Sequence, residues 1–181
     1  MKRLFLTWLA SLILIGCSST LIIPSYFPKN YTNFSGKVII GDFLYEPFMI
    51  GKVKSNQIQN TAIGETLLSS DVSNIVKIGT ELELKKTGIT FDSGNLKLTG
   101  IIKEFKLDDL GLGVDFTYII NYKLIDINTS NVLLDKEYLG DKMRGTNAVP
   151  IDLPNAVNDM IASGYNKFIT DPDVRKILEK K

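Results

Sequence analysis

Few side chains in this chain are equipped for chemistry, and the first is a lone thiol. Cys17 is the one cysteine of 181 residues, and it follows the apolar run Leu12-Ile13-Leu14-Ile15-Gly16. A thiol serves as nucleophile, metal ligand or attachment point, and the first two roles need a neighbouring base or further ligands. Histidine, the usual general base and transition-metal ligand near neutral pH, is absent. A second candidate is the acidic stretch Asp108-Asp109-Leu110-Gly111-Leu112-Gly113-Val114-Asp115. It lacks the alternate-position carboxylates and closing glutamate of a calcium loop, and reads as a solvated hairpin. Its Gly111-Leu112-Gly113 has neither the third glycine nor the following helix of a dinucleotide fingerprint. There is no GxSxG or HExxH, and nothing in the pattern selects a pair of carboxylates for hydrolysis. The sequence therefore predicts a protein that is not an enzyme, with no catalytic residue, no metal and no cofactor.

What remains for Cys17 is attachment. Lys2 and Arg3 form a positively charged start, Leu4 to Ile15 an apolar stretch broken by Thr7 and Ser11, and Gly16 a small residue before the thiol. An apolar stretch of about a dozen residues falls short of the ~20 needed to cross a bilayer as a helix. Leu14-Ile15-Gly16-Cys17 resembles the bacterial lipobox. The resemblance implies a diacylglyceryl group on the Cys17 sulfur and cleavage before Cys17. It also implies acylation of the new amine, so that the one cofactor-like group is a covalent lipid. Two or three acyl chains on one residue hold a protein on a membrane durably, since each buried methylene contributes ~0.8 kcal/mol. Ser18 and Ser19 follow the cysteine. By the sorting rule of enteric lipoproteins, which keeps Asp at that position in the inner membrane, serine predicts the periplasmic face of the outer membrane. The chain thus divides into a signal peptide (1–16), a lipidated N-terminal tether (17–35) and one domain (36–181).

Composition excludes other partners. Lys and Arg number 21 against 20 Asp and Glu, leaving a net charge of +1, so nucleic acid is not expected. The expected partners are the membrane, through the lipid, and an envelope protein; oligomeric state is not legible.

The elements that must carry any binding surface follow from periodicity. Lys37–Phe43 is β-branched and reads as a first strand. From Glu46 to Ser69 little periodicity is sustained, and a connection this long is usually functional or mobile. Its Lys52, Lys54, Asn56, Gln57, Gln59 and Asn60 are the candidate partner-binding residues, because they donate and accept hydrogen bonds without offering a nucleophile beside a base. The segment 21–35 brings Tyr26, Phe27, Tyr31 and Phe34, which either cover the edge of the core or dock a partner. Asp71 looks like the N-cap of a helix whose stripe is Val72, Ile75, Val76, Gly79 and Leu82, ending near Lys86 with Gly88 closing it. Gly79 on that stripe predicts a close approach to a sheet. Asn95–Leu107 reads as a strand. Val114, Phe116, Tyr118, Ile120, Tyr122 and Leu124 then fall on one face of the next, with Asp115, Thr117, Asn121 and Lys123 on the other. Val132–Leu139 follows as a third strand. Asp152 and Pro154 open a helix with Val157, Met160, Ile161, Gly164, Tyr165 and Phe168 inward, and Asp171-Pro172 starts a short one with Val174, Ile177 and Leu178 inward. The fold class predicted is α+β: a mostly antiparallel sheet with two main helices packed on one face, plus a short C-terminal helix.

From Glu81 onward, the stretch Glu81-Leu82-Glu83-Leu84-Lys85-Lys86-Thr87-Gly88-Ile89, the strand Leu96-Lys97-Leu98-Thr99-Gly100, Lys136-Glu137-Tyr138-Leu139-Gly140, Ala156 to Ile161 and Asp171 to Leu178 are similar to the YajG-type periplasmic lipoproteins. The resemblance covers about half the chain and implies fold and location, since its motifs are structural. Around Asp42-Phe43-Leu44 no arginine follows two residues later, and the long connection differs, so no ligand is carried over. The function expected is an outer-membrane-anchored, non-enzymatic binding or assembly module of the cell envelope. The alternative is an auxiliary, transport-associated carrier holding a lipid or cell-wall ligand in a cleft between sheet and helices; an apolar cavity there would favour it.

Overall fold

A computed structural model of the chain describes residues 19–60, 65–91, 93–108, 113–146 and 152–179. Cys17, the signal peptide and the centre of the acidic stretch, 109–112, lie outside them. In chain order the described elements are β1 (Ser19–Ile22), β2 (Gly36–Lys37), β3 (Ile39–Tyr45), α1 (Glu46–Met49), β4 (Gln57–Asn60) and β5 (Glu65–Leu68). Next come α2 (Val72–Lys86), β6 (Ile89–Thr90), β7 (Leu96–Asp108), β8 (Gly113–Asp126), β9 (Val132–Leu139), β10 (Met143–Thr146), α3 (Leu153–Thr170) and α4 (Pro172–Glu179).

The long antiparallel pair β7–β8 is the spine. Every second residue of β8 from Val114 to Leu124 is buried, while Asp115 is exposed and Thr117, Ile119, Asn121 and Lys123 are half-buried. That alternation puts one face under the helices and leaves the other to water. One edge of β7 carries β3 and then β4, both parallel to it. The far edge of β8 carries β9 and β10, both antiparallel. With β5 beside β4 and β1 beside β5, the described strands make an eight-stranded sheet, mostly antiparallel. A separate two-stranded piece pairs β2 with β6. No helix among the described residues is long and apolar enough to cross a membrane.

Helices α2 and α3 pack on the buried face. The α2 stripe is Val72, Ile75, Val76, Gly79, Thr80, Glu83 and Leu84, and that of α3 includes Val157, Met160, Ile161, Gly164, Tyr165 and Phe168. Between helices and sheet sit Tyr118, Tyr122, Tyr165, Phe105 and Phe168, the largest fully buried side chains. Burying a large apolar side chain contributes about 1.5–3 kcal/mol. Tyr122 and Phe168 stack tilted at 4.6 Å, and Phe105 meets Tyr118 edge-on at 5.6 Å. The tyrosine hydroxyls are partly satisfied in place: Tyr122 Oη shares a hydrogen bond with Thr80 Oγ1 at 3.1 Å and Tyr165 Oη with Thr87 Oγ1 at 2.7 Å. Burial raises the pKa of each of these two phenols well above its ordinary value.

Several expectations shift. The first strand runs Ile39–Tyr45 rather than Lys37–Phe43, because Gly36 and Lys37 leave the main sheet to pair with β6. The described residues of 46–69, all but 61–64, are not an irregular connection: they hold α1, β4 and β5. Strands of four residues bury only alternate positions, here Ile58, Thr66 and Leu68, too few to establish a period in the sequence. Gly79 does approach closely, but a Cβ there would meet Ile161 Cγ2 of α3 at 2.9 Å and the Tyr26 ring at 3.0 Å, not the sheet. Asp71 stands before α2 as expected, yet its carboxylate accepts from Ser55 Oγ at 2.6 Å, and Ser55 O receives the first helical N–H, that of Val72, at 2.9 Å. Asp152 does cap α3, accepting from the Asn155 N–H at 3.2 Å. Gly88 closes α2 with φ +88°.

The N-terminal segment lies on the domain. Ile22 is buried and β1 runs parallel to β5. The chain then crosses the helical layer, where two buried polar residues hold it. Glu83, fully buried on α2, accepts from Tyr26 Oη at 2.7 Å, from the Lys29 N–H at 2.9 Å and from the Asn30 N–H at 3.0 Å. Asn158 on α3 accepts from the Phe27 N–H at 2.7 Å and donates to Phe27 O at 3.2 Å. Burying a carboxylate is tolerable only with such donors around it. Tyr26 and Phe34 pack against the core, whereas Phe27 and Tyr31 stay exposed.

Candidate partner-binding face

The water-facing side of the sheet is a lattice of cross-strand ion pairs with apolar side chains between them. Lys103 pairs with Glu137, and Lys123 with Asp135 at 2.9 Å. The hydrogen bond to Glu137 raises the Lys103 ammonium above its usual range, and those from Lys123 and Asn121 lower the Asp135 carboxyl below its own. Exposed pairs of this kind fix register and specificity more than stability. Leu44 lies beside Ile101, and Ile119 beside Leu139, in the same lattice.

At the rim stands α1. Tyr45 and Pro47 turn inward and are buried, with Tyr45 Oη donating to Gln57 O at 3.0 Å. The rest of the turn is forced outward: Phe48 is 49 %, Met49 61 % and Ile50 57 % exposed. Ile50 and Pro47 share a surface groove of about 370 Å³ with Lys52, Gln59, Lys103, Ile119 and Glu137. Three consecutive exposed apolar residues beside a charged, hydrogen-bonding groove can bury against another protein surface.

The residues singled out in 46–69 divide by role. Lys52 and Lys54 are exposed, with Lys54 Nζ 2.7 Å from Glu65 Oε2. Asn56, Gln57, Gln59 and Asn60 are half-buried and bonded within the domain. Asn56 Nδ2 donates to Leu68 O at 2.9 Å, Gln57 Oε1 accepts from the Lys54 N–H at 3.1 Å, Gln59 Oε1 from the Phe105 N–H at 3.1 Å, and Asn60 Nδ2 reaches Thr66 Oγ1 at 3.4 Å. Lys52 and Gln59 meet at the groove; Phe48, Met49 and Ile50 are what the sequence reading missed. Pro47 ahead of three bulky residues is the signal that marked a one-turn helix showing its apolar side. Among the described residues no group of three metal-ligating side chains converges, and at the groove neither a thiol nor a hydroxyl nucleophile stands beside a base.

The two-layer arrangement is an established fold. Protein XCC0632 from Xanthomonas campestris, described as of the DUF330 family, superposes with a TM-score of 0.58 at 11 % identity, over 87 % of this chain and 92 % of that one. Protein CT253 from Chlamydia trachomatis (TM-score 0.47, 8 % identity, 74 % and 90 % of the two chains) and lipoprotein GNA1162 from Neisseria meningitidis (0.33, 9 %, 75 % and 99 %) are weaker likenesses, too distant to bear on function. No family model matches the chain, and neither does any curated protein.

Proposed function

We propose that the chain is a lipid-anchored protein of the bacterial cell envelope, tethered through Cys17 at the periplasmic face of the outer membrane, as in the YajG-type lipoproteins it resembles. There it acts as a non-enzymatic binding or assembly module for an envelope protein. The anchor rests on Leu14-Ile15-Gly16-Cys17 at the end of the apolar run, and the outer membrane on Ser18 and Ser19 after it. The observation that carries the binding role is the exposed turn Phe48-Met49-Ile50 at the edge of the water-facing groove. The carrier alternative draws less support, because Tyr118, Tyr122, Tyr165, Phe105 and Phe168 fill the space between sheet and helices where an acyl chain would lie.

Two measurements test this. Cys17→Ala abolishes fatty-acid labelling and leaves uncleaved precursor; palmitate incorporation into the variant refutes the anchor. A photoreactive side chain at Leu139 forms an adduct with an envelope protein in cells, and the pair Phe48→Asp, Met49→Asp removes it without altering thermal unfolding. An unchanged adduct yield refutes the binding face.

A further inference from the structure

The topology sets which strand ends lie on the same side of the domain as the start of β1. This inference rests on the lipid at Cys17 and adds an orientation and a headgroup contact to it. One residue, Ser18, separates Cys17 from β1, so the lipidated Cα lies at most ~7 Å from that of Ser19. β1 is not a loose leader. It pairs with β5 through four registered residues, the Ser69 N–H bonds Ile22 O at 2.9 Å, and a few residues on the chain is held again by Glu83 and Asn158. The domain therefore has almost no slack above the acyl chains.

The register then says what else is at that end. Thr20, Thr66 and Ile58 lie in one row across the sheet; one residue further along β4, Gln59 pairs with Lys106, and Lys106 with Thr117. β1 and β5 start at this end, while β4 and β7 finish there. The order β1-β5-β4-β7-β8-β10 makes the end five strand spacings, about 24 Å, wide. Across from β1, Lys106, Lys142 and Arg144 line a groove of about 430 Å³ together with Asp108 and Asp115. Arg144 stands 3.4 Å from Asp115 in a long, solvent-exposed pair, weak enough for a phosphate to compete, and the half-buried Lys106 stands 3.6 Å from Asp108. Lys142 is exposed and free to turn toward an anion. At the other end, the β8–β9 turn around Asn128 is about 45 Å away, the length of a 14-residue strand.

We propose that the domain stands end-on on the bilayer holding its own lipid, with the β1 start and the Lys106–Lys142–Arg144 groove against anionic phospholipid headgroups and the Asn128 turn pointing away. Three cations against two carboxylates, on the same end of the sheet as the lipid attachment, supply the second signal that fixes a lipidated protein against an anionic surface.

Once Cys17 is acylated the mature chain has no free thiol, so an introduced cysteine takes a fluorophore specifically. The lipidated chain with Thr117→Cys or Asn128→Cys is labelled and reconstituted into phosphatidylglycerol/phosphatidylethanolamine vesicles carrying a headgroup quencher. The Thr117 label should lose most of its emission and the Asn128 label almost none. Replacing Lys106, Lys142 and Arg144 with Gln, or using phosphatidylcholine vesicles, should relieve most of the quenching at 117. Equal quenching at both positions overturns the orientation, and quenching at 117 that ignores the triple replacement overturns the headgroup contact. Failure of the unsubstituted lipidated chain to float with vesicles overturns the anchored reading itself, and the proposal with it.

Discussion

Gly164→Ala tests how closely α3 is pressed on the sheet. A Cβ at residue 164 would stand 2.4 Å from Cε1 and 2.8 Å from Cδ1 of Tyr118, well inside the 3.5–4.0 Å or so at which carbons attract. The ring has little room to yield. Tyr118 is 2 % exposed, Phe105 meets it edge-on at 5.6 Å, and Ile120 Cγ2 would lie 3.6 Å from the same new Cβ. Overpacking a core costs about 1–3 kcal/mol, and a clash with a confined ring belongs in the upper half of that range. Alanine's better helix propensity returns about 1 kcal/mol. The balance is a loss of roughly 1–2 kcal/mol, or about 2–8 °C in Tm for a domain of this size. Thermal unfolding followed by circular dichroism reads it directly. A second variant separates the clash from any other cause: with Tyr118→Leu in the background the penalty should vanish, a coupling of at least about 1 kcal/mol. An unchanged or raised Tm for Gly164→Ala in the otherwise native chain would refute this account of the interface.

Two further outcomes follow from the faces of the sheet and from the helix junction. Phe116→Asp puts an unpaired charge at a site 4 % exposed and should cost about 3–5 kcal/mol, while Thr117→Asp, on the water-facing side, should cost under about 1 kcal/mol; urea unfolding distinguishes them, and equal tolerance refutes the assignment. Asp171, between α3 and α4, accepts from Lys136 Nζ at 2.6 Å, Tyr138 Oη at 3.0 Å and the Asp173 N–H at 2.9 Å. Burial pushes its carboxyl up, but these donors outweigh burial and hold it below its ordinary value. Its contribution is therefore present above the unfolded pKa of about 3.9 and lost as pH falls through the lower folded value. Asp171→Asn should lower Tm at pH 7 and flatten the decline of Tm below pH 5, and a parallel decline in both proteins would contradict it.

Local pattern was enough wherever one residue type repeated at a fixed spacing over many residues. The six alternating apolar positions of β8, the helical stripe of α3 and the bounds of β9 are all legible, because long elements average out single exceptions. The class, a sheet with helices on one face, follows from them. Cys17 and its apolar run depend on neighbours in sequence alone, so the proposed anchor was readable without any fold.

What needed the tertiary structure depends on residues distant in the chain. Glu83 interrupts the apolar stripe of α2, and only the backbone of residues 29 and 30 and the hydroxyl of Tyr26, more than fifty positions away, explain why a carboxylate belongs there. β4 and β5 have four residues each and exist because neighbouring strands supply their hydrogen-bond partners, which no local propensity encodes. Phe48, Met49 and Ile50 become a surface only because Tyr45 and Pro47, just before them, are drawn inward. The end proposed to face the bilayer needed the same kind of information: strand direction and register, fixed by pairing across the sheet, put Ser19 and the Lys106 groove at one end.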